Sequence, residues 1–406
     1  MRPWDKVEAD GSGPVGFLAS SARAGIKRDP KALDVALIFS EGEQTTAAGV
    51  FTTNRVAAAP VSLSRQHLKA SHGHARAIVV NSGNANACTG SAGEKCAAIT
   101  ARTAAKLLGI EPQQALLAST GVIGVRLEPK SITRQLPGLV RTLSPEGFPG
   151  VARAIMTTDR FPKLYALQSI MGGKPVRLLG MTKGAGMIHP RMATMLAFVM
   201  TDAIVKAPDL QKMLQTAADA SFNRITVDGD TSTNDTVIAL ASGLSGVNAR
   251  MGTPGGARFT AGLTELCEGL ARMIVQDGEG AKKLVTVQVQ GARTEADADR
   301  IARAIANSPL VKTALAGNDP NWGRILCAAG YSGAEFDPTK VDLHVNRLLL
   351  CRKGVSAGFS KAAARAELDQ PQLTLRIDLH QGRASARMWT CDLTHEYITI
   401  NASYTT

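Results

Sequence analysis

Hydrophobic and polar residues alternate most clearly in two stretches in the last third of the chain. LVTVQVQ at 284–290 places three valines on one face, and QLTLRIDL at 372–379 places leucine or isoleucine at every second position. Such alternation predicts strands that are buried on one face only. A helix is predicted between them at about 295–306. The region after about residue 285 is therefore predicted to be α+β, with half-exposed antiparallel strands.

Continuous hydrophobic runs and helical periodicity dominate the earlier part of the chain. ARAIVV at 75–80 and ALLAS at 115–119 predict buried strands. A helix is predicted at 94–108, with Cys96, Ile99, Thr103 and Leu107 on one face and Gly109 at its end. A second helix is predicted to start at Pro208. Buried strands mixed with helices are typical of layered α/β or α+β folds.

The positive charge of the chain is concentrated in its first half. Up to residue 193 there are 24 Lys and Arg against 12 Asp and Glu, whereas residues 194–406 carry 22 of each. The basic residues come singly or in pairs, and aromatic residues make up only 4% of the chain. No platform on which bases could stack is evident. We expect no nucleic-acid partner, and a basic nucleic-acid-binding protein remains a remote alternative.

The termini and the cysteines bear on the compartment. The N-terminus, MRPWDKVEADGSG, lacks the hydrophobic core of a secretory signal, and no apolar stretch approaches the length of a membrane span. None of the six cysteines forms a C-x-x-C pair. These features predict a cytoplasmic protein with reduced thiols and no membrane partner.

Several short motifs could carry chemistry, although each also has an ordinary structural interpretation. STGVIG at 119–124 could aim backbone N–H groups at an oxyanion, or be a strand end. VDGDTSTNDT at 227–236 could bind a cation, or be a polar loop. DGEGAKK at 277–283 is readily explained as a turn, and the His72-x-His74 pair as a solvated loop.

The stretch KGAGMIHPRMATMLAFVM at 183–200 is the most unusual part of the sequence. A glycine-rich loop changes abruptly into a buried strand, and Thr194 stands at the junction. Threonine is β-branched and often begins a strand, which is the simpler interpretation.

The motifs together resemble the ornithine acetyltransferase family, whose bifunctional members are the glutamate N-acetyltransferases of arginine biosynthesis. The similarity runs in order along nearly the whole chain. It rests on VVNSGNANACTG (79–90), STGVIG (119–124), MTTDRFPK (156–163), KGAGMIHPRMATML (183–196), DGDTSTNDT (228–236), DGEGA (277–281), KTALAGNDPNWGRI (312–325) and NASYTT (401–406). Lys282 departs from the small or polar residue expected after GEGA.

The resemblance implies an enzyme that cuts itself. The chain would be cleaved between Ala193 and Thr194 into an α chain, 1–193, and a β chain, 194–406. The new N-terminal Thr194 would carry acetyl from N-acetylornithine to glutamate in a ping-pong reaction. Whether acetyl-CoA also serves as a donor is left open, as is a related enzyme with another acyl group.

The implied fold is an α-β-β-α sandwich of the self-processing aminopeptidase and ornithine acetyltransferase type. It would occupy residues 1–285, and a smaller α+β domain, 286–406, would return a C-terminal strand to the active site. The fragments would stay together as an α2β2 heterotetramer. No metal or organic cofactor is implied.

The resemblance also implies roles for individual residues. Thr120 and Gly121 would form the oxyanion hole, with Thr194 as the nucleophile. The substrate would be bound by Thr157, Lys183, Thr194, Glu279, Asn401 and Thr406. The assignment to Thr157 could equally fall on Thr158. A self-processing aminopeptidase of the same fold is the nearest alternative, and DPNWGR and NASYTT argue against it.

Overall fold

The computed structural model describes residues 4–9, 11–189 and 195–403 of the 406-residue chain. Ala193, Thr194 and Thr406 lie outside these residues. Within them the strands are, in chain order, β1 (Asp5–Val7), β2 (Phe17–Ala22), β3 (Val35–Ser40), β4 (Thr46–Phe51), β5 (Ala77–Asn84), β6 (Ala115–Val122), β7 (Lys163–Met171), β8 (Lys174–Lys183), β9 (Leu196–Thr201), β10 (Thr236–Ala241), β11 (Leu284–Ala292), β12 (Asp342–Val345), β13 (Leu348–Arg352), β14 (Val355–Ser356), β15 (Gln372–Asp378) and β16 (Ala384–Cys391).

The α-helices of the same residues alternate with these strands. They are α1 (Ala59–Ala70), α2 (Gly90–Leu108), α3 (Pro129–Thr133), α4 (Leu136–Arg141), α5 (Phe148–Ala154), α6 (Ala207–Ala220), α7 (Pro254–Gln276), α8 (Glu295–Asn307), α9 (Pro309–Ala316), α10 (Trp322–Gly330), α11 (Lys361–Leu368) and α12 (His395–Ser403). α7 and α8 begin with a threonine whose side chain accepts a backbone N–H of the first turn, which caps the helix.

Two sheets pack face to face in the first part of the chain. One has the strand order β1-β7-β8-β9-β10-β4, and the other has the order β2-β3-β5-β6. Met181 and Phe198 of the first sheet share a buried cluster with Ile78 and Leu116 of the second. Every residue of β9 is buried, because the sheet that contains it is covered on both faces.

Helices cover the outer faces of this pair of sheets. α6 and α7 pack on the six-stranded sheet, where Leu214 and Phe259 join its core. α2, α3 and α4 pack on the four-stranded sheet, with Ala101 and Ile132 in the cluster. The predicted α-β-β-α sandwich is confirmed.

A third sheet follows from residue 284 onward, with the order β14-β13-β12-β15-β11-β16. Its core is formed with helices α8 to α11. The alternating stretches are strands β11 and β15, as predicted, and the expected antiparallel orientation holds for four of the five strand pairs of this sheet but not for β11 with β15. β11 pairs with β15 in parallel, with Val285 opposite Leu373, and with β16 in antiparallel orientation. Alternation reports which face is buried and says nothing about the direction of the neighbouring strand.

The C-terminal segment is a helix, so the expectation of a terminal strand is wrong for residues 395–403. Tyr397 and Asn401 are four residues apart in α12 and therefore lie on one face. The helix lies close against Gly280, where a Cβ atom would stand 2.6 Å from the backbone nitrogen of Tyr397. Motif resemblance marked Asn401 in the chain but did not give its conformation.

Helix α2 is present as predicted, and Cys96 of its predicted face is buried, but the rest of that face is wrong. Ile99 and Leu107 are exposed, and the buried face is built from small residues such as Ala97, Ala101 and Ala104. Across the described ranges, none of the helices has the length and apolar character needed to cross a membrane.

Candidate active site

A cleft opens where several chain segments end at one edge of the sandwich. β6 and β8 end there, and the loop that precedes β10, the turn after α7 and the helix α12 close the other sides. The residues that line it are Thr120, Gly121, Ile123, Thr157, Thr158, Lys183, Gly186, Met187, Asp228, Asp230, Ser232, Thr233, Asn234, Glu279, Tyr397 and Asn401.

Six of the predicted site residues meet in this cleft, although they are far apart in sequence. They are Thr120, Gly121, Thr157, Lys183, Glu279 and Asn401. Thr158 lines it as well, so the geometry does not choose between the two neighbouring threonines. Ala193, Thr194 and Thr406 fall outside the described residues.

Thr120 and Gly121 lie within the last residues of strand β6 rather than in a loop after it. β5 and β6 run in parallel, and their register shifts at Gly83 and Asn84, beside Gly121. Gly121 has a φ of +128°, and a Cβ atom there would stand 2.3 Å from the carbonyl carbon of Gly83. Only glycine can occupy this position, because a side chain would collide with the neighbouring strand.

Lys183 forms the polar floor of the cleft. Its side chain is 3% exposed, and its Nζ lies 2.7 Å from Oγ1 of Thr157 and 3.4 Å from Oγ1 of Thr120. Burial lowers the pKa of Lys183, and the nearby carboxylate of Asp159 opposes that shift. The charge of this lysine therefore depends on its buried partners.

Beneath the floor lies an ionic cluster in which Asp159, Lys163 and Asp277 are buried and Arg160 is half exposed. Nζ of Lys163 lies 2.6 Å from a carboxylate oxygen of Asp159 and 2.6 Å from one of Asp277. Although burial disfavours the charge of Asp159, Lys183 and Lys163 lower the pKa of its carboxyl to about 2. The carboxyl of Asp159 is thus ionised in the folded chain at neutral pH.

Glu279 and Asn401 stand on another wall. The backbone N–H of Glu279 donates to the carbonyl of Ala185 at 2.9 Å, and its carboxylate accepts from Nδ2 of Asn401 at 2.8 Å. Gly186 lies directly against this carboxylate, since a Cβ atom there would stand 2.3 Å from Oε2. The absence of a side chain at Gly186 lets Glu279 reach the cleft.

Asp228 and Tyr397 line the cleft and were not among the predicted residues. The carboxylate of Asp228 accepts the backbone N–H of Met187 at 2.6 Å and of Ile188 at 2.9 Å, and Tyr397 donates its hydroxyl at 3.3 Å. Burial raises the pKa of Asp228 to about 6. The aspartate-rich motif at 227–236 was a usable signal for Asp228, whereas nothing in the sequence marked Tyr397.

The strand that follows Thr194 begins beside the cleft. In the ladder between β8 and β9, Lys183 pairs with Leu196, which is two residues after Thr194. The backbone N–H of Met195 donates to Oδ1 of Asp235 at 3.0 Å. Asp235 is fully buried, and burial raises the pKa of its carboxyl well above the usual value.

The cleft therefore combines hydroxyl and ammonium donors on one side with carboxylates on another. Such an arrangement suits a small molecule that carries both a carboxylate and an amine, and its donors could stabilise an oxyanion. Within the described ranges, no group of three or more His, Cys, Asp or Glu side chains could hold a metal ion.

The chain is similar to one family of known proteins along nearly its whole length. The sequence profile of the ArgJ family matches residues 18–406. The arginine biosynthesis bifunctional protein ArgJ of Symbiobacterium thermophilum is 50% identical over 397 residues, which make up 97% of this chain and 98% of the relative. The chain belongs to the ArgJ family.

Other ArgJ proteins extend the comparison. The bifunctional protein of Synechocystis is 45% identical, and the alignment covers all of both chains. A crystal structure of the ArgJ protein of Bacillus halodurans is 43% identical with a TM-score of 0.50. That match covers 98% of the crystallised chain but 51% of this one, so the crystallised chain is about half as long.

Proposed function

We propose that this chain transfers acetyl from N-acetylornithine to glutamate, and that Thr194 carries the acetyl group between them. The observation that carries the proposal is the pairing of Lys183, in the floor of the cleft, with Leu196. Leu196 is two residues after Thr194, so the strand that follows the proposed nucleophile begins beside the cleft.

Thr194 would become available by self-cleavage. Its hydroxyl attacks the carbonyl carbon of Ala193, the bond from that carbon to the nitrogen of Thr194 breaks, and the nitrogen takes up the proton that the hydroxyl loses. Water then hydrolyses the resulting ester. The half-length crystallised chain of the Bacillus halodurans relative supports this step, because curated ArgJ proteins match the present chain from end to end.

Cleavage would also provide the base that the reaction needs. A threonine hydroxyl is a weak nucleophile unless a base takes its proton. The α-amino group created at Thr194 has a reference pKa of about 7.7–8.0, which suits proton transfer near neutral pH. Thr194 would therefore act as nucleophile and base in one residue.

The acetyl group would be transferred in two half-reactions at the same place. Thr194 attacks the acetyl carbonyl of N-acetylornithine, ornithine leaves, and the amine of glutamate then attacks the acetyl ester. Each attack places negative charge on the carbonyl oxygen, and we assign its stabilisation to Thr120 and Gly121. Lys183 would bind the substrate carboxylate, with Thr157, Glu279, Asn401 and Thr406 as further contacts.

Several finer features remain predictions. These are the use of acetyl-CoA as a second donor, the division of the chain into domains at residue 285, the α2β2 assembly and the cytoplasmic location. They do not affect the chemistry assigned to the cleft.

Two measurements on the purified protein test the proposal. Denaturing gels should show fragments of 193 and 213 residues, which together make up the 406 residues, and Thr194→Ala should stay uncut and inactive. Initial rates with both substrates varied should give parallel double-reciprocal lines, since one hydroxyl serves donor and acceptor in turn. Intersecting lines, or an active uncut chain, would refute the proposal.

A further inference from the structure

Asp159 has no role in the proposed reaction, yet it contacts two of the residues that form the cleft. Its side chain is fully buried. One carboxylate oxygen accepts the backbone N–H of Thr157 at 2.8 Å, and the other accepts the backbone N–H of Gly184 at 2.7 Å. Asp159 therefore fixes Thr157 itself and the residue that follows Lys183.

Lys183 in turn fixes a hydroxyl of the predicted oxyanion hole. Its Nζ lies 3.9 Å from Asp159, 2.7 Å from Oγ1 of Thr157 and 3.4 Å from Oγ1 of Thr120. An ammonium group donates hydrogen bonds and cannot accept them. The oxygen of Thr120 must then be the acceptor in this contact, and its own hydrogen is free to point away from Lys183 into the cleft.

We propose that Asp159 is a positioning residue for acetyl transfer, which holds the Lys183 ammonium so that the Thr120 hydroxyl donates toward the substrate oxygen. The ammonium also adds positive charge behind the place where negative charge develops. The inference rests on the proposed function, because it assumes that Thr120 faces the reacting carbonyl. On this view the ionic cluster around Asp159 orients the Thr120 hydroxyl in addition to stabilising the fold.

The charge of Lys183 distinguishes a role of Asp159 in orienting the oxyanion donor from a role in folding alone. Burial has the largest effect on the pKa of Lys183 and lowers it. The positive charge of Lys163 also lowers this pKa, and it is raised by the carboxylates of Asp159, Glu279 and Asp235. The charge of Lys27 also interacts with that of Lys183. If Lys183 must be charged, activity falls as pH rises through its pKa. The position of this alkaline limb then reports on the partners of Lys183.

Asp159→Asn is the first test. It removes a negative charge beside Lys183, so the pKa of Lys183 falls and the alkaline limb of kcat should move to lower pH. Loss of the fixed geometry should also lower kcat about 10²-fold, with a much smaller change in KM. A residue that served folding alone would lower the amount of active enzyme and leave the pH profile in place.

Lys163→Gln supplies a test of opposite sign, because it removes a positive charge near Lys183 and should move the alkaline limb to higher pH. Asp159→Glu keeps the charge but shifts the carboxylate, so kcat should fall without a shift of the limb. This conservative variant keeps the proposal testable if Asp159→Asn does not fold.

Asp202 is a matched control at the other end of β9. It is buried, and it accepts the backbone N–H groups of Arg177 at 3.0 Å and Val15 at 3.3 Å. Asp202→Asn should leave the pH profile unchanged. The proposal is overturned if Asp159→Asn keeps its kcat, or loses it with an unmoved limb. Failure of the proposed function would instead appear in the wild-type protein, as absence of acetyl transfer.

Discussion

Gly186→Ala tests how closely the cleft is built around Glu279. A Cβ atom at Gly186 would stand 2.3 Å from Oε2, 2.5 Å from Cδ and 2.6 Å from Oε1 of Glu279. Ordinary contacts between such atoms begin at about 3.5 Å, so the carboxylate must retreat by roughly 1 Å. The carboxylate is at the end of the flexible Glu279 side chain, so it can move away without a shift of the backbone.

This displacement of the carboxylate should lower the catalytic rate strongly and change the stability little. The hydrogen bond that Glu279 accepts from Asn401 at 2.8 Å is lost or lengthened. A displacement of about 1 Å in a substrate-binding group can cost roughly 10²-fold in rate, or about 2.7 kcal/mol of transition-state stabilisation. The free energy of unfolding should change by less than about 1 kcal/mol, because no core contact is removed.

Steady-state kinetics and thermal unfolding of the same preparation measure both quantities. Gly138→Ala is the control, since a Cβ atom at Gly138 would meet no other atom within 4 Å, and this residue already lies in the helix α4. It should keep kcat/KM and gain up to about 1 kcal/mol of stability. Wild-type kcat/KM in Gly186→Ala, with both substrates, would refute the placement of Glu279 in the working site.

Three further substitutions probe other parts of the site. Thr120→Ala should lower kcat roughly 10²–10³-fold with little change in KM, the usual effect of losing an oxyanion donor, and unchanged turnover would remove Thr120 from that role. Glu279→Gln should cost about 2–5 kcal/mol in kcat/KM if a substrate ammonium pairs with this carboxylate. A loss below about 0.5 kcal/mol would mark Glu279 as an ordinary turn residue. Burial raises the pKa of Asp235, so its carboxyl stays protonated in the folded chain at pH values where the unfolded chain has released the proton. Above about pH 4 the free energy of unfolding of the wild type therefore falls as pH rises. Asp235→Asn lacks this pH dependence, and its melting temperature relative to wild type should increase between pH 4 and 7; a constant difference would contradict the assignment.

The sequence predicted more of the site than of its surroundings. The motifs placed Thr120, Lys183 and Glu279 together, and the structure brings them into one cleft. Asp159 lies within a matching motif, but only the fold shows that its two oxygens accept from Thr157 and Gly184. Contacts of this kind depend on segments that meet in space, and no local pattern records them.

Errors in the predicted fold have identifiable physical causes. The alternating stretches predict the correct strands, but the partners of β11 are chosen by the connections between strands and not by their hydrophobic pattern. The face predicted for α2 is mostly wrong because periodicity favours large residues as the buried ones, whereas close packing on the sheet selects alanine. Residues 397–400, Tyr-Ile-Thr-Ile, have strand-like propensity and are nevertheless helical, because strand propensity is only a weak constraint on the backbone.

Direct observation of acetyl on Thr194 is the decisive test of the account. The purified protein would be incubated with N-acetylornithine alone, quenched in acid and examined by mass spectrometry with fragmentation of the chain that begins at residue 194. The account predicts one added acetyl group on Thr194, which disappears when glutamate is supplied and reappears in N-acetylglutamate. A transfer-competent preparation whose 406-residue chain is intact, or whose 194–406 fragment never carries acetyl, would contradict it.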